Sequence, residues 1–399
     1  MDVMTLEMKE ERNRLLRESV SALASTKVAK RAQEIDATGA FPWDMAELFF
    51  QQGYMSIMLP ETLGGMDGDI TAFCIIAEEI AKHCGSSSLM ILAHTVGLMP
   101  MMMAGTEEQK DRFFKRVAND RVLAAFALTE PESGSDAASL TTTAELQGDY
   151  YVLNGRKTFV TNGGAADLYL VFVTTEPGTR TRGISVFMVE KDTTGVTIGK
   201  REEKLGMRGS DTTDLIFEHA VVPRDNLIGE EGNGWELAMM TLNLSRPAIG
   251  AQAVGIAQGA LDFALDYTCK RVQFGQKLAD FQGVQFMLAD MATQIEAARA
   301  LVYKAAALLD LKIYERDKMS AIGVDKLSAM SKCFASDMAM RVTIDAVQIL
   351  GGYGYLKDYP VERMMRDAKV TQIFEGSNQI QRVIIARDLL RKYWDKDLV

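Results

Sequence analysis

Residues 150–174 read YYVLNGRKTFVTNGGAADLYLVFVT, and this stretch decides the class of fold. It alternates short runs of β-branched and aromatic residues with Asn-Gly turns, a pattern typical of β-strands. Similar runs follow up to about residue 217. The predicted strands are Tyr150–Leu153, Lys157–Thr161, Leu168–Thr174, Ile184–Glu190 and Thr213–Phe217. The sequence therefore predicts a compact antiparallel β-domain, a barrel or a sandwich, over residues 122–232.

Helical periodicity flanks this region on both sides. Before it, apolar residues recur at three- and four-residue spacing, and Thr106 precedes two glutamates like a helix N-cap. The predicted helices there are Met45–Gln52, Ile70–His83 and Glu107–Ala118. After it, long apolar stripes favour a helical bundle, and they run over Ala251–Lys270, Phe281–Leu311, Val324–Leu350 and Asn378–Trp394. The predicted fold class is α+β, with a helical domain (1–121), a β-domain (122–232) and a helical bundle (233–399).

The composition of the 399 residues excludes several functions. The formal net charge is −10, which argues against a general nucleic-acid binder because such proteins present a basic face. Three histidines leave little for a metal site or a Ser-His-Asp triad, so no metal is predicted; they are His83, His94 and His219. The sequence has neither the GxGxxG fingerprint of a Rossmann domain nor a Walker loop.

The cysteines and the apolar runs indicate a cytoplasmic protein without a membrane span. The four cysteines form no CxxC pair, and we expect buried free thiols in a reducing compartment. The charged N-terminus lacks the apolar core of a secretory signal. The uncharged run Leu89–Gly105 is just short of a membrane-spanning helix and contains Pro100, so we interpret it as a buried segment.

Two segments contain the residues best suited to chemistry. Ala127–Asp136 reads ALTEPESGSD; it offers hydroxyls, carboxylates and backbone N–H groups for a polar ring edge or a phosphate, although a surface turn is the alternative. Thr371–Gln379 reads TQIFEGSNQ and leads into a helix start. Glu375 follows two apolar residues there, and a carboxylate beside apolar groups has a raised pKa and can act as a base. Interaction with the helix dipole is the alternative.

Taken together, these segments resemble the acyl-CoA dehydrogenase family over nearly the whole chain. Ala127–Asp136 is similar to the first signature of that family. Gln348–Tyr355, which reads QILGGYGY, is similar to the second signature, as is its continuation through Asp358 and Arg363 to Asp367. Arg271–Gly275 and the pair Phe281-Gln282 resemble a flavin-contacting segment of the bundle.

The resemblance implies an N-terminal helical domain, a middle β-domain and a C-terminal four-helix bundle, assembled as a homotetramer that binds FAD without a Rossmann motif. In this family the isoalloxazine lies against the middle domain, and the matching positions are Phe126, Leu128, Thr129, Ser135, Phe159 and Thr161. The adenine and diphosphate are contacted by a neighbouring subunit, and the matching positions are Arg271, Gln273, Phe274, Gln282 and Gln348 to Gly352, including Gly351. Ser377 and Gln379 resemble diphosphate-side contacts at the N-terminus of the final helix, where backbone N–H groups favour anions. Phe159 departs from the Trp common in relatives and provides a smaller aromatic wall without an N–H donor.

The resemblance also implies the reaction. Glu375 would remove the α-proton of an acyl-CoA thioester while a β-hydride passes to flavin N5, giving the trans-2-enoyl-CoA, with electron-transferring flavoprotein as the electron acceptor. Some branches of the family carry the base at the position of Ser245, where serine cannot act as a carboxylate base. The positions that match substrate-side residues are Ser135, Asn243, Arg246 and Gly376. An interhelical ion pair is the alternative for Arg246.

The direction of the reaction and the acyl group stay open at the level of sequence. An enoyl-CoA reductase would run the same half-reactions backwards, and a non-catalytic CoA-binding homologue would keep the fold without the chemistry. Methionines are concentrated in Leu89–Gly105 and at Met239-Met240. They suit an adaptable pocket for a short, branched, cyclic or aryl acyl group, with ordinary core packing as the alternative.

Overall fold

The structure is a computed structural model that describes residues 6–314 and 324–394. The first part is helical, as predicted, and Thr106 caps its last helix in a capping box with Gln109. Its helices are α1 (Leu6–Leu23), α2 (Ala29–Thr38), α3 (Trp43–Gln51), α4 (Ile70–Ala81), α5 (Gly85–Ala104) and α6 (Glu107–Asp120). The predicted domain ranges 1–121 and 233–399 also include 1–5, 315–323 and 395–399, which lie outside the described residues.

The β-region forms one curled sheet that contains all the predicted strand segments, but the predicted turn at Asn154-Gly155 was wrong. Tyr150–Leu153 and Lys157–Thr161 form a single strand, in which the register shifts at Gly155 without ending the strand. Its strands are β1 (Ala124–Ala127), β2 (Thr143–Gln147), β3 (Tyr150–Thr161), β4 (Leu168–Thr174), β5 (Ile184–Glu190), β6 (Val196–Ile198) and β7 (Thr212–Pro223). Most pairings are antiparallel, but β1 runs parallel to β4, and β2 touches β4 in parallel at one residue pair. All seven residues of β4 are buried, and burial on both faces is the usual setting of parallel pairs.

The last part is helical again, which confirms the predicted order of helical, β and helical regions. It contains α7 (Gly234–Lys270), α8 (Gln282–Tyr314), α9 (Val324–Leu350), α10 (Pro360–Thr371) and α11 (Asn378–Trp394), with the short hairpin β8 (Val272–Gln273) and β9 (Gln276–Lys277) after α7. The long helices α7, α8 and α9 pack against one another, and α11 packs on α9. Helix α7 begins 17 residues before the predicted start at Ala251, since Pro247 lies inside it without ending it.

Burial explains the two most apolar helices. Helices α5 and α7 are each long and apolar enough to cross a membrane, but 78% of the apolar window of each is buried inside the protein. This agrees with the interpretation of Leu89–Gly105 as a buried segment. Three of the four cysteines are buried free thiols as expected, whereas Cys269 is exposed near the end of α7, so the expectation was wrong for this residue. The last turn of α7 projects beyond the helices that cover its middle.

The middle of α7 lies unusually close to α4. A Cβ atom at Gly255 would lie 2.2 Å from the carbonyl oxygen of Glu78, and one at Gly259 would lie 2.0 Å from that of Lys82. Any side chain would therefore push the two backbones apart. These glycines bring the bundle into direct contact with the N-terminal helices, and buried residues of all three regions share one apolar core.

We predict that Gly255→Ala destabilises the protein although alanine is the better helix former. The new methyl group meets a backbone oxygen that cannot rotate away, and such overpacking costs about 1–3 kcal/mol. Urea denaturation followed by far-ultraviolet circular dichroism measures the change. Gly283→Ala on α8 is the matched control, because a Cβ there has no neighbour within 4 Å. Equal stability of the two variants would contradict the close approach.

Candidate active site

The corner between α10 and α11 holds Glu375 in a left-handed backbone conformation. Its φ is 56°, and Gly376 follows with a φ of 87°. A residue other than glycine pays about 1–3 kcal/mol for such a conformation, which persists only where the surroundings impose it. The surroundings here are hydrogen bonds: Gln381 donates from Nε2 to the carbonyl oxygens of Glu375 at 3.1 Å and Gly376 at 2.8 Å.

The carboxylate of Glu375 points towards α7. Its Oε2 accepts a hydrogen bond of 3.0 Å from Ser245 Oγ, so the position that matches a base in some branches here supports the carboxylate of Glu375. Burial raises the pKa of Glu375, and this effect outweighs the opposing influence of Ser245, Arg246 and Lys332. A carboxylate with a raised pKa is a stronger base than one with the ordinary value.

Arg246 and Asn243 lie one turn apart on α7 beside this corner. Arg246 is 3% exposed, and its Nη1 donates to Oδ1 of Asn243, while the amide nitrogen of Asn243 donates to Asp325 Oδ1 at 2.6 Å. The Nε of Arg246 has no hydrogen-bond partner, and burial lowers the pKa of this guanidinium. The structure therefore places both predicted substrate-side residues of α7 near Gly376, with one buried N–H group unused.

The predicted flavin-side residues meet where β1 ends beside β3. The carbonyl oxygen of Thr129 accepts a hydrogen bond of 2.8 Å from the backbone N–H of Thr158. The segment after β1 therefore lies directly against the bulge in β3. Phe159 stands in that bulge with a φ of 54° and is 66% exposed. In a regular strand, the side chain of Phe159 would point to the buried face of the sheet. The left-handed backbone instead turns its ring towards the exposed side. Phe126 on β1 and Thr161 on β3 are half-buried, and Leu128 is buried.

Lys157 and Glu130 form a buried ion pair beneath these residues that sequence reasoning missed. Lys157 is fully buried. Its Nζ donates a hydrogen bond of 2.7 Å to Glu130 Oε1 and one of 3.2 Å to the carbonyl oxygen of Leu128. Burial lowers the pKa of Lys157 to about 8. Burial alone would raise the pKa of Glu130, but Lys157 and the hydrogen bonds from residues 141 and 142 bring it down to about 2. A lone lysine within a predicted strand was the signal that could have found the pair.

Ser135 lies in the exposed turn that follows. Ser133 donates to the carbonyl of Asp136 at 2.7 Å, and Asp136 is paired with Arg180 at 2.6 Å. The turn is thus the surface turn weighed in the sequence, held by local bonds, and it leaves the hydroxyl of Ser135 exposed. An exposed hydroxyl at the edge of the β-region remains available to a ligand.

A second group of predicted residues surrounds a cavity of about 410 Å³ between the end of α7 and the end of α9. Arg271, Gln273, Gly351 and Gly352 line it, and the guanidinium of Arg271 lies 5.3 Å from the centre of the Tyr353 ring. A cation beside an aromatic ring and unsubstituted backbone suits the adenine and diphosphate of a dinucleotide. The residues present therefore fit the polar half of FAD.

The remaining predicted cofactor residues do not line this cavity. Phe274 is 95% exposed with a φ of 52°, and the other three, Gln282, Gln348 and Gln379, are exposed. Ser377 instead caps α11, because its Oγ accepts from the backbone N–H of Ile380 at 3.4 Å. One chain thus assembles the flavin-facing wall and the Arg271 cavity, and leaves these exposed side chains free for contacts of another kind.

Comparison with known proteins agrees with this arrangement. Profiles of the N-terminal, middle and C-terminal domains of acyl-CoA dehydrogenases match residues 10–121, 125–220 and 232–390. Acyl-CoA dehydrogenase of Bacillus subtilis is 48% identical, covering 94% of this chain and 97% of that protein. Cyclohexane-1-carbonyl-CoA dehydrogenase of Geobacter metallireducens is 46% identical, covering 95% and 97%.

Solved structures give the same result. Butyryl-CoA dehydrogenase from Megasphaera elsdenii superimposes with a TM-score of 0.90 at 40% identity, covering 98% of this chain and 100% of that one. An acyl-CoA dehydrogenase from Bacillus anthracis, solved in complex with FAD, superimposes with a TM-score of 0.88 at 32% identity, covering 97% and 68%. The fold and the site define a flavin-dependent oxidoreductase. The chain belongs to the acyl-CoA dehydrogenase family, and its cofactor is FAD.

We predict that Lys157→Met destabilises the protein and lowers its FAD content. The change leaves Glu130 charged and buried without its cation, and breaking a buried pair in this way costs about 3–5 kcal/mol. Urea denaturation and the flavin absorbance per mole of purified protein measure the two effects. The double variant Lys157→Met/Glu130→Gln removes both charges and should recover much of the stability. A single variant as stable as the unmodified protein would contradict the role of the pair.

Proposed function

We propose that this acyl-CoA dehydrogenase oxidises the Cα–Cβ bond of an acyl-CoA thioester to the trans-2-enoyl-CoA, with Glu375 as the base. The observation that carries the proposal is the carboxylate of Glu375, which is held at a strained corner, bonded to Ser245 Oγ at 3.0 Å, and raised in pKa by burial. A surface glutamate that only complements a helix dipole would need neither the strain nor the burial.

The α-proton of a thioester is weakly acidic, so the base alone is insufficient. The fixed left-handed backbone turns the N–H of Glu375 into a position where it can donate to a thioester carbonyl, and such preorganised donors stabilise the charge that develops as the proton leaves. Ser245 holds the carboxylate, and Arg246 supplies a buried positive charge near the same corner. FAD, when bound, accepts the β-hydride at N5.

The proposed cofactor contacts divide into two groups. The isoalloxazine is contacted by residues of the β-region, namely Phe126, Leu128, Thr129, Ser135, Phe159 and Thr161. The adenine and diphosphate are bound by residues that line one cavity, namely Arg271, Gln273, Gly351 and Gly352. The cofactor of a neighbouring subunit in a homotetramer is contacted by the exposed side chains that do not line this cavity, together with Ser377. These side chains are Phe274, Gln282, Gln348 and Gln379. Strongly exposed aromatic side chains on the bundle, such as Phe286 and Tyr355, support such an assembly.

The proposed substrate carries a short, branched, cyclic or aryl acyl group, bound with help from Ser135, Asn243, Arg246 and Gly376. A relative that acts on cyclohexane-1-carbonyl-CoA supports the cyclic class. Met90, Met99 and Met101 are fully buried, which favours core packing for these three. Met102, Met103 and Met239 are only partly buried and pack against one apolar cluster, and they suit an adaptable pocket wall.

The proposed setting is the cytoplasm, with electron-transferring flavoprotein as the electron acceptor. Free cysteines suit a reducing compartment, and the named relatives come from bacteria. Reduction of electron-transferring flavoprotein by the enzyme and an acyl-CoA tests the partner directly.

We predict that Glu375→Gln keeps the bound FAD and loses turnover. The amide retains the shape of the side chain but cannot accept the α-proton, and loss of a general base costs about 100- to 10,000-fold. The rate of flavin reduction by an acyl-CoA measures the loss, and Asp388→Asn on α11 is a carboxylate control remote from the corner. Near-normal turnover of Glu375→Gln would rule out the assignment.

We predict that anaerobic addition of an acyl-CoA panel bleaches the flavin, fastest with short branched or cyclic acyl groups. Long straight chains should react more slowly, since the predicted pocket wall is filled by methionine. Stopped-flow absorbance at the flavin band measures each rate, with the matching enoyl-CoA as a control that cannot donate a hydride. If no thioester bleaches the flavin, the dehydrogenase proposal fails. If palmitoyl-CoA reacts fastest, the substrate class is wrong.

A further inference from the structure

Lys332 on α9 is completely buried directly behind the catalytic corner. Its Nζ donates 2.8 Å to the carbonyl oxygen of Gly376 and 3.0 Å to Oδ1 of Asn378. The two acceptors flank the start of α11, so a single side chain joins the middle of α9 to both ends of the turn that follows Glu375. No sequence motif singled out this residue.

The position is costly for a lysine. Burial without a bonded carboxylate disfavours the ammonium form, and it lowers the pKa of Lys332 to about 7. Both of its bonded acceptors are neutral amide oxygens. An apolar residue of the same length would fill this space without that cost, as methionine does elsewhere in the core. The fold thus places a polar group where packing alone does not require one.

The bonds of Lys332 act on the strained part of the corner. Glu375 and Gly376 both have a positive φ, and hydrogen bonds to their carbonyl oxygens stabilise this conformation. Gln381 donates to both carbonyls from α11, and Lys332 donates to that of Gly376 from α9. Two donors from different helices therefore hold the peptide between Gly376 and Ser377, one residue beyond Glu375.

We propose that Lys332 is a positioning residue, which fixes the Glu375–Gly376 turn for proton abstraction and places a positive charge close to the carboxylate. The proposal rests on the proposed role of Glu375 as the base. Lys332 is completely buried behind the turn, and it acts through the backbone of the turn and through its charge.

The charged groups around Lys332 determine the sign of the electrostatic effect. Glu375 faces Lys332 from the turn, and Arg246 faces it from α7. Cys333 and Asp337 lie near it on its own helix, and Asp337 is also paired with Arg382 of α11 at 2.6 Å. Charged Lys332 lowers the pKa of Glu375 against the larger effect of burial. Removing the charge therefore raises the pKa of Glu375, so the pH at which the rate reaches half its plateau moves upward.

The test compares Lys332→Met and Lys332→Gln with the unmodified holoenzyme. The amide of glutamine keeps a donor for Gly376 but carries no charge, whereas methionine keeps only the length. We expect the half-plateau pH of flavin reduction to rise by about one unit in both variants. We expect the plateau rate at high pH to fall at least tenfold in Lys332→Met and to stay within about threefold in Lys332→Gln, a split that general destabilisation would not produce. If Lys332→Met does not fold, the pH shift of Lys332→Gln carries the test.

Ser336→Ala is the matched control. Ser336 lies one turn further along α9, is also buried, and bonds the same Oδ1 of Asn378 at 3.2 Å, but its bonds do not reach Gly376. We expect its pH profile and plateau to equal those of the unmodified enzyme. The same losses in Ser336→Ala, or an unshifted profile in both Lys332 variants, would overturn the proposal. Glu375→Gln separates the two proposals, because near-normal turnover of that variant refutes the base, whereas its inactivity beside unaffected Lys332 variants refutes only Lys332.

Discussion

The close approach of α7 to α4 is the constraint on which the rest of the structure depends. Two glycines of α7, Gly255 and Gly259, let its backbone touch carbonyl oxygens of α4, and the same helix packs against α8, α9 and α10. Because α7 is a single continuous helix, this contact also fixes its first half. Ser245 and Arg246 in that half face the corner that carries Glu375. The depth at which α7 is buried thus determines where the carboxylate of Glu375 finds its hydrogen-bond partner.

The site is built on two buried lysines with different partners. Lys157 is paired with a carboxylate and supports the segment after β1, where three further hydrogen bonds, from Thr141 and Thr142, hold Glu130. Lys332 has only amide oxygens as bonded acceptors. Burial lowers the pKa of both lysines, to about 8 for Lys157 and to about 7 for Lys332. The carboxylate partner keeps Lys157 protonated up to a higher pH, so the charge beside Glu375 is lost first as the pH rises.

The sequence predicted those features of the fold that depend on residues close together in the chain. Period-two runs located β3, β4, β5 and β7, and Thr106 located the start of α6, since strand alternation and helix caps involve residues a few positions apart. Glu375 was found because a capping residue and a glycine follow it. Strand β1, which reads AAFA, has no such period, and its parallel partner lies more than forty residues away. The outward turn of Phe159 depends on a bulge set by β7. The lone lysine in a predicted strand was a signal for a buried pair, but its partner Glu130 and the partners of Lys332 lie in other segments of the chain, and no local pattern identifies them. The residue-level roles of the site remain predictions.

The loop before β7 has a backbone contact with α10 that admits no side chain. A Cβ at Gly206 would lie 2.4 Å from backbone atoms of Arg366, and the next residue, Met207, donates its N–H to Asp367 Oδ1 at 2.5 Å. The loop before β7 and α10 cannot move relative to each other without breaking this buried hydrogen bond. The β-region and the bundle are therefore joined at this point by backbone packing and a buried hydrogen bond, and the two cannot separate there without the loss of that bond.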